Sequence, residues 1–419
     1  MTRELEPSKP EAEGLSSDGL GRVDAALQAH IAAGTLAGAV TLVARHGRIV
    51  HINAMGRKDL ASGEPLRSDT LFRIFSMTKP IMGVAMMILH DEGLWAPDDP
   101  IHKHLPEFAD VRVIAGLDVG GAPILVAPDH APTMRELMTH TAGFIYGFDG
   151  ADAVTMLYQD AQVLKASDAT AMSRKLATLP LAYQPGSEWR YSLSTDLQGA
   201  VLERLTGRSL DAFMAERIFA PLGMNDTAFH IPPEKQGRLA TLYYKQDDSP
   251  LMAIPNPLGN DYDAPPALAL GGGGLISTAL DYARFAQMLL NGGTFAGRRI
   301  VSAEALRLMM TNHLPDEMLE ARYKAGHHQF RPGFGYGFNG VVVTDPELAD
   351  LPVGRGSYFW DGAAGTWFWV DPVNDLLFVG MVQMLSYTAP PLQAPTQRLM
   401  ASAISDGRLA PPSAIPRGL

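Results

Sequence analysis

The feature of this chain that most constrains its fold is a run of uncharged, mostly apolar residues from 81 to 89. A helix that is apolar on every side is buried in the middle of a protein, so other elements must surround it. Pro80 is tolerated only within the first turn of such a helix or at a kink just after it. The helix therefore begins close to Ser76-Met77-Thr78-Lys79, and Ser76 lies near the positive end of the helix dipole.

A hydroxyl and an amine stand three residues apart at this helix start. Residues i and i+3 of an α-helix lie on one face with Cβ atoms roughly 5–6 Å apart, so the Lys79 amine can reach the Ser76 oxygen. A serine hydroxyl becomes a good nucleophile only when a neighbouring base takes its proton. The spacing predicts a nucleophilic serine, although an ordinary core helix with a solvated lysine would show the same pattern.

Length and composition exclude several classes of protein. A chain of 419 residues is too long for one small core and predicts two domains. It has no cysteine, which excludes disulfides, thiolate metal ligands and a cysteine nucleophile. A net charge of −11 argues against nucleic acid or a membrane surface as partner. The polar N-terminus lacks the apolar core of a secretory signal, and no apolar run predicts a membrane span, so we expect a cytoplasmic protein.

Strand patterns lie near both ends of the chain, and helix patterns dominate residues 95–235 between them. Strands are predicted at 40–45 and 48–54, joined at His46-Gly47, and at 338–344, 357–360, 366–370 and 376–384. Helices are predicted at 17–33, 134–140 after a Thr133/Glu136 capping box, 169–179, 195–206, 211–219, from a cap at Ser277 or Thr278 to residue 290, and 392–404. Residues 94–131 are rich in Pro, Asp and Gly and predict an irregular connection. This order predicts one mixed sheet built from both termini.

Two further segments are candidates for completing a Ser-Lys site. Tyr191 follows a short extended run and directly precedes a helix, which would point its phenol into a cleft. A nearby ammonium such as Lys79 would favour the phenolate of a group whose reference pKa is about 10. Small residues after Trp360 let a backbone amide approach a carbonyl closely, so the amides of Ala363 and Ser76 are candidates for an oxyanion hole. Alone, each segment has an ordinary explanation, a core or surface tyrosine and a hairpin with a glycine turn.

Together these segments resemble the serine β-lactamase and penicillin-binding superfamily, and within it the class C β-lactamase-like esterases called family VIII carboxylesterases. The resemblance is carried by Ser76-Met77-Thr78-Lys79, Tyr191-Ser192-Leu193 and Trp360-Asp361-Gly362, and it extends in matching order from about residue 17 to 405. It implies a class C β-lactamase-like α/β (α+β) fold with a mixed, mostly antiparallel sheet flanked by helices. The implied domains are a discontinuous sheet domain, residues 1–94 and 236–419, and an inserted all-helical domain, residues 95–235, with the active site in the cleft between them.

Two departures from class C β-lactamases bear on the substrate. Their second motif ends in an asparagine that binds the β-lactam acylamide side chain, and Leu193 stands at that place here. Their third motif begins with a lysine that helps to hold the substrate carboxylate, and Trp360 stands there. A site that lacks a polar partner discriminates against substrates that need one, so neutral acyl esters fit better than anionic β-lactams.

The resulting hypothesis is a serine carboxylesterase for short-chain acyl esters. Ser76 attacks the ester carbonyl, Lys79 and Tyr191 relay protons, and the amides of Ser76 and Ala363 hold the oxyanion. The substrate-binding residues are expected to be Trp360, Gly362, Leu193 and Phe144. No cofactor or metal is implied, and the expected partner is a small-molecule ester in a protein of unassigned oligomeric state.

Other functions fit the same motifs less well. The alternatives are a class C-like β-lactamase acting on cephalosporins, a D-amino acid peptidase, and an acyltransferase to an alcohol. A penicillin-recognising protein without catalysis has no need of Ser76, Lys79 and Tyr191 together. An α/β-hydrolase esterase is excluded because no serine lies in a Gly-x-Ser-x-Gly elbow.

Overall fold

An eight-stranded sheet takes its strands from both ends of the chain. The computed structural model describes residues 4–148, 150, 152–246, 249–259, 262–320, 323–325, 328–330, 332–386 and 391–406. In chain order the sheet strands are β1 (Glu6–Pro7), β2 (Gly38–Arg45), β3 (Arg48–Gly56), β4 (Phe334–Tyr336), β5 (Val341–Val343), β6 (Tyr358–Asp361), β7 (Trp367–Asp371) and β8 (Leu376–Met381). Their spatial order is β1-β3-β2-β8-β7-β6-β5-β4, and only β1 and β3 pair in parallel. The predicted mixed, mostly antiparallel sheet is confirmed.

The two ends of the chain meet where β2 pairs with β8, and every residue of both strands is buried. Successive side chains of a strand point to opposite faces, so complete burial requires cover on both faces of the sheet. On one face Phe368 of β7 packs against Tyr282, with ring centroids 4.8 Å apart. On the other face the neighbouring Trp367 donates a hydrogen bond from Nε1 to Thr396 Oγ1 at 3.2 Å.

Helices provide this cover and fill the middle of the chain. In chain order α1–α14 span Ser17–Ala32, Thr78–Asp91, Ile101–His104, Met134–Thr139, Ala153–Ala161, Ala169–Ala177, Ser194–Thr206, Leu210–Met214, Ala220–Leu222, Ala279–Leu290, Ala303–Met309, Asp316–Glu320, Pro346–Ala349 and Gln393–Ala403. The 3₁₀ turns are Pro10–Glu13, Phe75–Met77, Pro106–Phe108, Val163–Lys165 and Pro233–Arg238, and Ala215–Phe219 forms a π turn. Within the described ranges, no helix has the length and apolar character needed to cross a membrane.

The apolar helix that constrains the fold is α2, and its residues from Thr78 to Leu89 are all buried, as predicted. The 3₁₀ turn Phe75–Met77 leads directly into it. Two contacts hold this junction: Tyr282 Oη donates to the Met77 carbonyl at 2.9 Å, and the Leu275 amide donates to Thr78 Oγ1 at 3.2 Å. The start of α2 is therefore fixed inside the protein.

Short strand pairs lie outside the main sheet. They are Phe72–Arg73 with Ile276–Ser277, Val113–Leu117 with Pro123–Val126, Tyr243–Tyr244 with Met252–Ala253 and Met384–Leu385, Thr294–Phe295 with Arg298–Arg299, and Tyr323–Ala325 with His328–Phe330. The hairpin at 113–126 and the helix α3 replace part of the irregular connection predicted at 94–131. The division into domains at residues 1–94, 95–235 and 236–419 stays a prediction.

Two strand predictions are corrected by the structure. The strand predicted at 338–344 begins only at Val341, because Asn339 adopts a positive φ of 61° in a turn between β4 and β5. The Asn339 side chain is held there by Gln198, whose Nε2 donates to Asn339 Oδ1 at 3.0 Å. The strand predicted at 376–384 ends at Met381, and the Gln383 side chain accepts a hydrogen bond from the Arg73 amide at 2.8 Å.

Candidate active site

Ser76 lies in the 3₁₀ turn before α2, and its hydroxyl oxygen has two hydrogen-bond partners. Tyr191 Oη donates to Ser76 Oγ at 2.7 Å, and Lys79 Nζ donates to the same oxygen at 3.3 Å. The preceding residue, Phe75, has a positive φ of 42°, a conformation that a bulky residue adopts only under constraint. The structure thus brings together the serine, the lysine and the tyrosine predicted from the sequence.

Lys79 is completely buried and is held by groups from three other parts of the chain. Its Nζ donates to the Gly272 carbonyl at 2.7 Å and to Tyr146 Oη at 3.0 Å. The amine also lies over two aromatic rings, 5.3 Å from the Tyr146 centroid and 4.6 Å from the Tyr191 centroid. These contacts fix the amine beside Ser76 in one position.

A closed ring of hydrogen bonds continues from this amine. Tyr146 Oη donates to Asp196 Oδ2 at 3.4 Å, and Asp196 Oδ1 accepts from the Gly272 amide at 2.9 Å. Gly272 in turn accepts from Lys79 through its carbonyl, which closes the ring. We refer to Lys79, Tyr146, Asp196 and Gly272 as the lysine network.

Gly272 is required in this network for a steric reason. A Cβ at this position would lie 2.6 Å from Asp196 Oδ2 and 2.8 Å from Tyr146 Oη. Only a residue without a side chain lets the backbone approach both groups this closely. In the run of four glycines at 271–274, the second one is therefore required by the packing of the lysine network.

Burial has a large effect on the charge of Lys79. Removal from water disfavours the ammonium and lowers the pKa of Lys79 from 10.5 to about 7, although the carboxylates of Asp196 and Asp361 act in the opposite direction. Burial also raises the pKa of the Asp196 carboxyl, which the charge of Lys79 counteracts. A neutral amine is therefore accessible at neutral pH, and it lies within reach of the Ser76 proton.

Tyr191 is surrounded by aromatic side chains. Its ring centroid is 5.1 Å from that of His140, 5.6 Å from Trp360 and 6.3 Å from Trp189. We refer to Tyr191 and these three residues as the aromatic wall. His140 is buried, its Nδ1 lies 2.9 Å from Ser192 Oγ, and burial lowers the pKa of its imidazole well below the usual value.

The sequence left the protonation of Tyr191 open, and the environment of its phenol favours the neutral form. Burial raises the pKa of Tyr191 above its usual value of 10, and the hydrogen bond to Ser76 offsets this only in part. Burial disfavours the charged phenolate, and the nearby carboxylates of Asp361 and Asp196 disfavour it further. Tyr191 is thus a neutral phenol that donates its proton toward Ser76.

The turn after β6 packs tightly against the segment that precedes Ser76. A Cβ at Gly362 would collide with the carbonyl oxygen of Ile74, so the absence of a side chain permits the contact. Ala364 is buried in a small cluster with Phe75 and Leu242, whereas Ala363 between them is exposed. The amide of Ala363 is therefore presented by a turn anchored beside Ser76, and its role in an oxyanion hole stays a prediction.

The predicted apolar lining of the substrate pocket lies deeper than expected. Phe144, Leu193 and Trp360 are each at most 2% exposed. Phe144 packs edge-on against Phe108, with centroids 5.7 Å apart, which is a core contact. Trp360 supports Tyr191, and Leu193 precedes α7 in the core. Their direct contact with substrate stays a prediction, and the residue from the Phe144 segment that reaches Lys79 is Tyr146.

Tyr146, Asp196 and Gly272 were missed by reasoning from the sequence. Tyr146 belongs to no motif that marks it among the tyrosines of the chain. Asp196 did carry a signal, because it is an acidic residue in a helix whose residues 194–202 are all buried, and such a residue requires a partner. In the described part of the chain, no group of three or more His, Cys, Asp or Glu residues could hold a metal ion.

Comparisons with known proteins find related sequences and structures over most of the chain. A family model described as Beta-lactamase matches residues 23–401. Protein Rv1367c of Mycobacterium tuberculosis is 39% identical over 355 residues, which cover 84% of this chain and 86% of that protein. Esterase EstB of Burkholderia gladioli is 33% identical over 369 residues, with 83% and 86% covered. The solved structure of EstCE1, described as a hydrolase with promiscuous acyltransferase activity, superposes with a TM-score of 0.74 at 27% identity and covers 92% of this chain and 98% of its own.

Proposed function

The chain belongs to the Beta-lactamase family, and from this membership we propose that it is a carboxylesterase acting on short-chain acyl esters. It is a serine hydrolase of the β-lactamase superfamily with esterase and acyltransferase relatives. The observation that carries the proposal is the pair of contacts at Ser76 Oγ, 2.7 Å from Tyr191 Oη and 3.3 Å from Lys79 Nζ. A hydroxyl between an amine and a phenol has a proton acceptor on one side and a proton donor on the other.

In the proposed acylation, neutral Lys79 takes the Ser76 proton while Oγ forms a bond to the ester carbonyl carbon. The amides of Ser76 and Ala363 hold the resulting oxyanion. As the carbon–oxygen bond to the alcohol breaks, Tyr191 gives its proton to the leaving oxygen. The ammonium of Lys79 then returns a proton to the Tyr191 phenolate, since both groups lie against Ser76 Oγ, and both regain their neutral forms.

Deacylation in this proposal reverses the roles of the same groups. A water molecule takes the place of the alcohol and loses its proton to the Tyr191–Lys79 pair as its oxygen attacks the acyl carbon. When the bond from that carbon to Ser76 Oγ breaks, the proton goes to Oγ. The products are a carboxylic acid and the original enzyme, with no cofactor required for the proton balance.

The preference for neutral esters rests on the two departures from class C β-lactamases. Leu193 and Trp360 are buried apolar side chains at the places where a β-lactam needs polar partners. The asparagine amide and the lysine that hold an anionic β-lactam in class C enzymes are therefore missing at these two positions, and the loss of such partners costs binding free energy. The relative from B. gladioli is itself described as an esterase.

The proposal is tested by measuring hydrolysis of p-nitrophenyl butyrate and of a chromogenic cephalosporin, with the Ser76→Ala variant as control. We expect fast ester hydrolysis, slow or absent cephalosporin hydrolysis, and loss of both in the variant. Fast cephalosporin hydrolysis with poor ester hydrolysis would make the protein a β-lactamase. Ester hydrolysis that survives in the variant would show that Ser76 is not the nucleophile.

Acyl transfer to an alcohol is the second candidate, because EstCE1 is described as having promiscuous acyltransferase activity. An alcohol that occupies the place of the deacylating water would give a new ester by the same steps. The measurement is chromatography of the products of p-nitrophenyl butyrate with added 1-butanol. Butyl butyrate in excess of butyric acid would identify a transferase, whereas butyric acid as the main product supports the esterase.

A further inference from the structure

We propose that Phe148 forms an aromatic subsite for the alcohol part of the ester, so that the enzyme prefers esters of arylmethyl alcohols. This inference rests on the proposed esterase function and names its substrate class. Phe148 belongs to none of the motifs that predicted the site.

Phe148 is 69% exposed, yet it is not a loosely placed surface residue. Its ring is stacked parallel to that of Tyr146, with centroids 4.7 Å apart and an angle of 6° between the planes. Single exposed apolar side chains are common on proteins and need no functional explanation. This one differs because the ring on which it stacks belongs to the lysine network.

The backbone that carries Phe148 is anchored. The Gly147 carbonyl accepts a hydrogen bond from Gln159 Nε2 at 2.7 Å. A Cβ at Gly147, where φ is 79°, would lie 3.0 Å from Tyr158 Cβ, so the loop packs closely against α5. These contacts hold the residue before Phe148, and the stack on Tyr146 orders the Phe148 ring, which lowers the entropic cost of binding a ligand there.

The stack leads from solvent to the reacting groups. Tyr146 Oη lies 3.0 Å from Lys79 Nζ, and the Tyr146 ring centroid lies 5.3 Å from that of Tyr191. The group that protonates the leaving alcohol must lie beside the leaving oxygen, and in the proposed reaction that group is Tyr191. The aromatic surface that continues from Tyr191 through Tyr146 to Phe148 therefore lies along the alcohol part of the ester.

The chemistry of this surface favours a flat, uncharged ring. Aromatic pairs prefer offset-stacked or edge-to-face arrangements and gain more than their buried area alone provides. Lys79 and Asp196, the charged groups hydrogen-bonded to Tyr146, are themselves buried, so the exposed part of the stack is the ring of Phe148. A saturated ring of similar size would bury similar area without the aromatic contribution.

The test compares kcat/KM for benzyl acetate and cyclohexylmethyl acetate, two esters with one acyl group and alcohols of similar size. We expect the wild-type protein to prefer benzyl acetate and Phe148→Ala to lower the benzyl-to-cyclohexylmethyl ratio roughly 2- to 13-fold. Phe148→Trp should keep the preference for benzyl acetate.

Leu348→Ala is the matched control, because Leu348 is also an exposed apolar residue, on α13. The intrinsic reactivity of the esters cancels when one pair is compared across variants.

Three results would overturn the inference, and they are distinguishable. An unchanged ratio in Phe148→Ala, with both esters still hydrolysed, would remove the subsite and leave the esterase proposal intact. A changed preference along a series of p-nitrophenyl esters of increasing acyl length, without a changed alcohol ratio, would place Phe148 on the acyl side. No hydrolysis of any of these esters by the wild-type protein would refute the esterase proposal and this inference with it.

Discussion

The lysine network and the aromatic wall lie beside the same Ser76 oxygen, and both are buried. They differ in the kinds of group that surround the ionisable side chain. The network surrounds its amine with a carboxylate and a carbonyl, through Asp196 and Gly272. The wall surrounds the Tyr191 phenol with rings. Burial disfavours the charged form in both regions, so the pKa of Lys79 falls to about 7 and the pKa of Tyr191 rises.

This difference explains how one buried site can hold a base and an acid side by side. The carboxylate of Asp196 keeps the pKa of Lys79 from falling further, so the amine can both lose and regain a proton near neutral pH. The carboxylates of Asp361 and Asp196 act on Tyr191 in the same direction as burial and disfavour its phenolate, so Tyr191 keeps its proton until it is transferred to the leaving oxygen.

The largest effect is expected for Lys79→Ala, which removes the base. We expect kcat/KM for p-nitrophenyl butyrate to fall by roughly 10⁴-fold or more, because members of a catalytic set act as a unit. Thermal unfolding measured by circular dichroism serves as the control for an intact fold. A variant that retains most of its activity would contradict the relay.

Tyr191→Phe removes the acid and keeps the aromatic wall. Loss of a general acid costs roughly 10²- to 10⁴-fold in rate, and we expect a decrease in that range. The dependence of kcat/KM on pH should still rise through about 7, because that ionisation belongs to Lys79. Disappearance of this rise in the variant would assign the ionisation to Tyr191 instead.

Gly272→Ala tests whether the lysine network requires the close approach of the Gly272 backbone to Asp196 and Tyr146. The new Cβ would displace Asp196 or Tyr146 and move Lys79 from Ser76, and we expect kcat to fall by about 10- to 100-fold, as for other small misplacements of catalytic groups. Gly21→Ala is the matched control, since a Cβ at Gly21 meets nothing within 4 Å and alanine favours the helix. Equal activities of the two variants would show that the network tolerates expansion.

The smallest effect is expected for Asp196→Asn and concerns pH. The Asp196 carboxylate raises the pKa of Lys79, so its neutralisation should lower that pKa and move the acid limb of kcat/KM to lower pH. Activity at pH 8 should change little. Asp281→Asn is the control, because Asp281 is another buried carboxyl, with its pKa raised to about 6, hydrogen-bonded to Thr227. A shift toward higher pH in Asp196→Asn would contradict the assigned role.

The sequence by itself determined the features that depend on local geometry. The apolar run at 81–89 specified a buried helix, and helical spacing specified that Lys79 reaches Ser76. His46-Gly47 specified the turn between β2 and β3, where both residues have positive φ, as a tight hairpin requires. Thr133 and Glu136 specified the capping box at α4. Such patterns act over a few residues, so the chain around them has little influence.

The tertiary structure determines which residues complete the site and which of its groups carry a charge. Tyr146, Asp196 and Gly272 are far apart in the chain, and they meet because the segment after α4, helix α7 and the glycine run converge beside the start of α2. The protonation of Tyr191 stayed open from the sequence, because the sequence shows neither how deeply the phenol is buried nor which charges lie beside it. Hydration and packing are properties of the folded chain, and they set the pKa of a group more strongly than its neighbours in the sequence do.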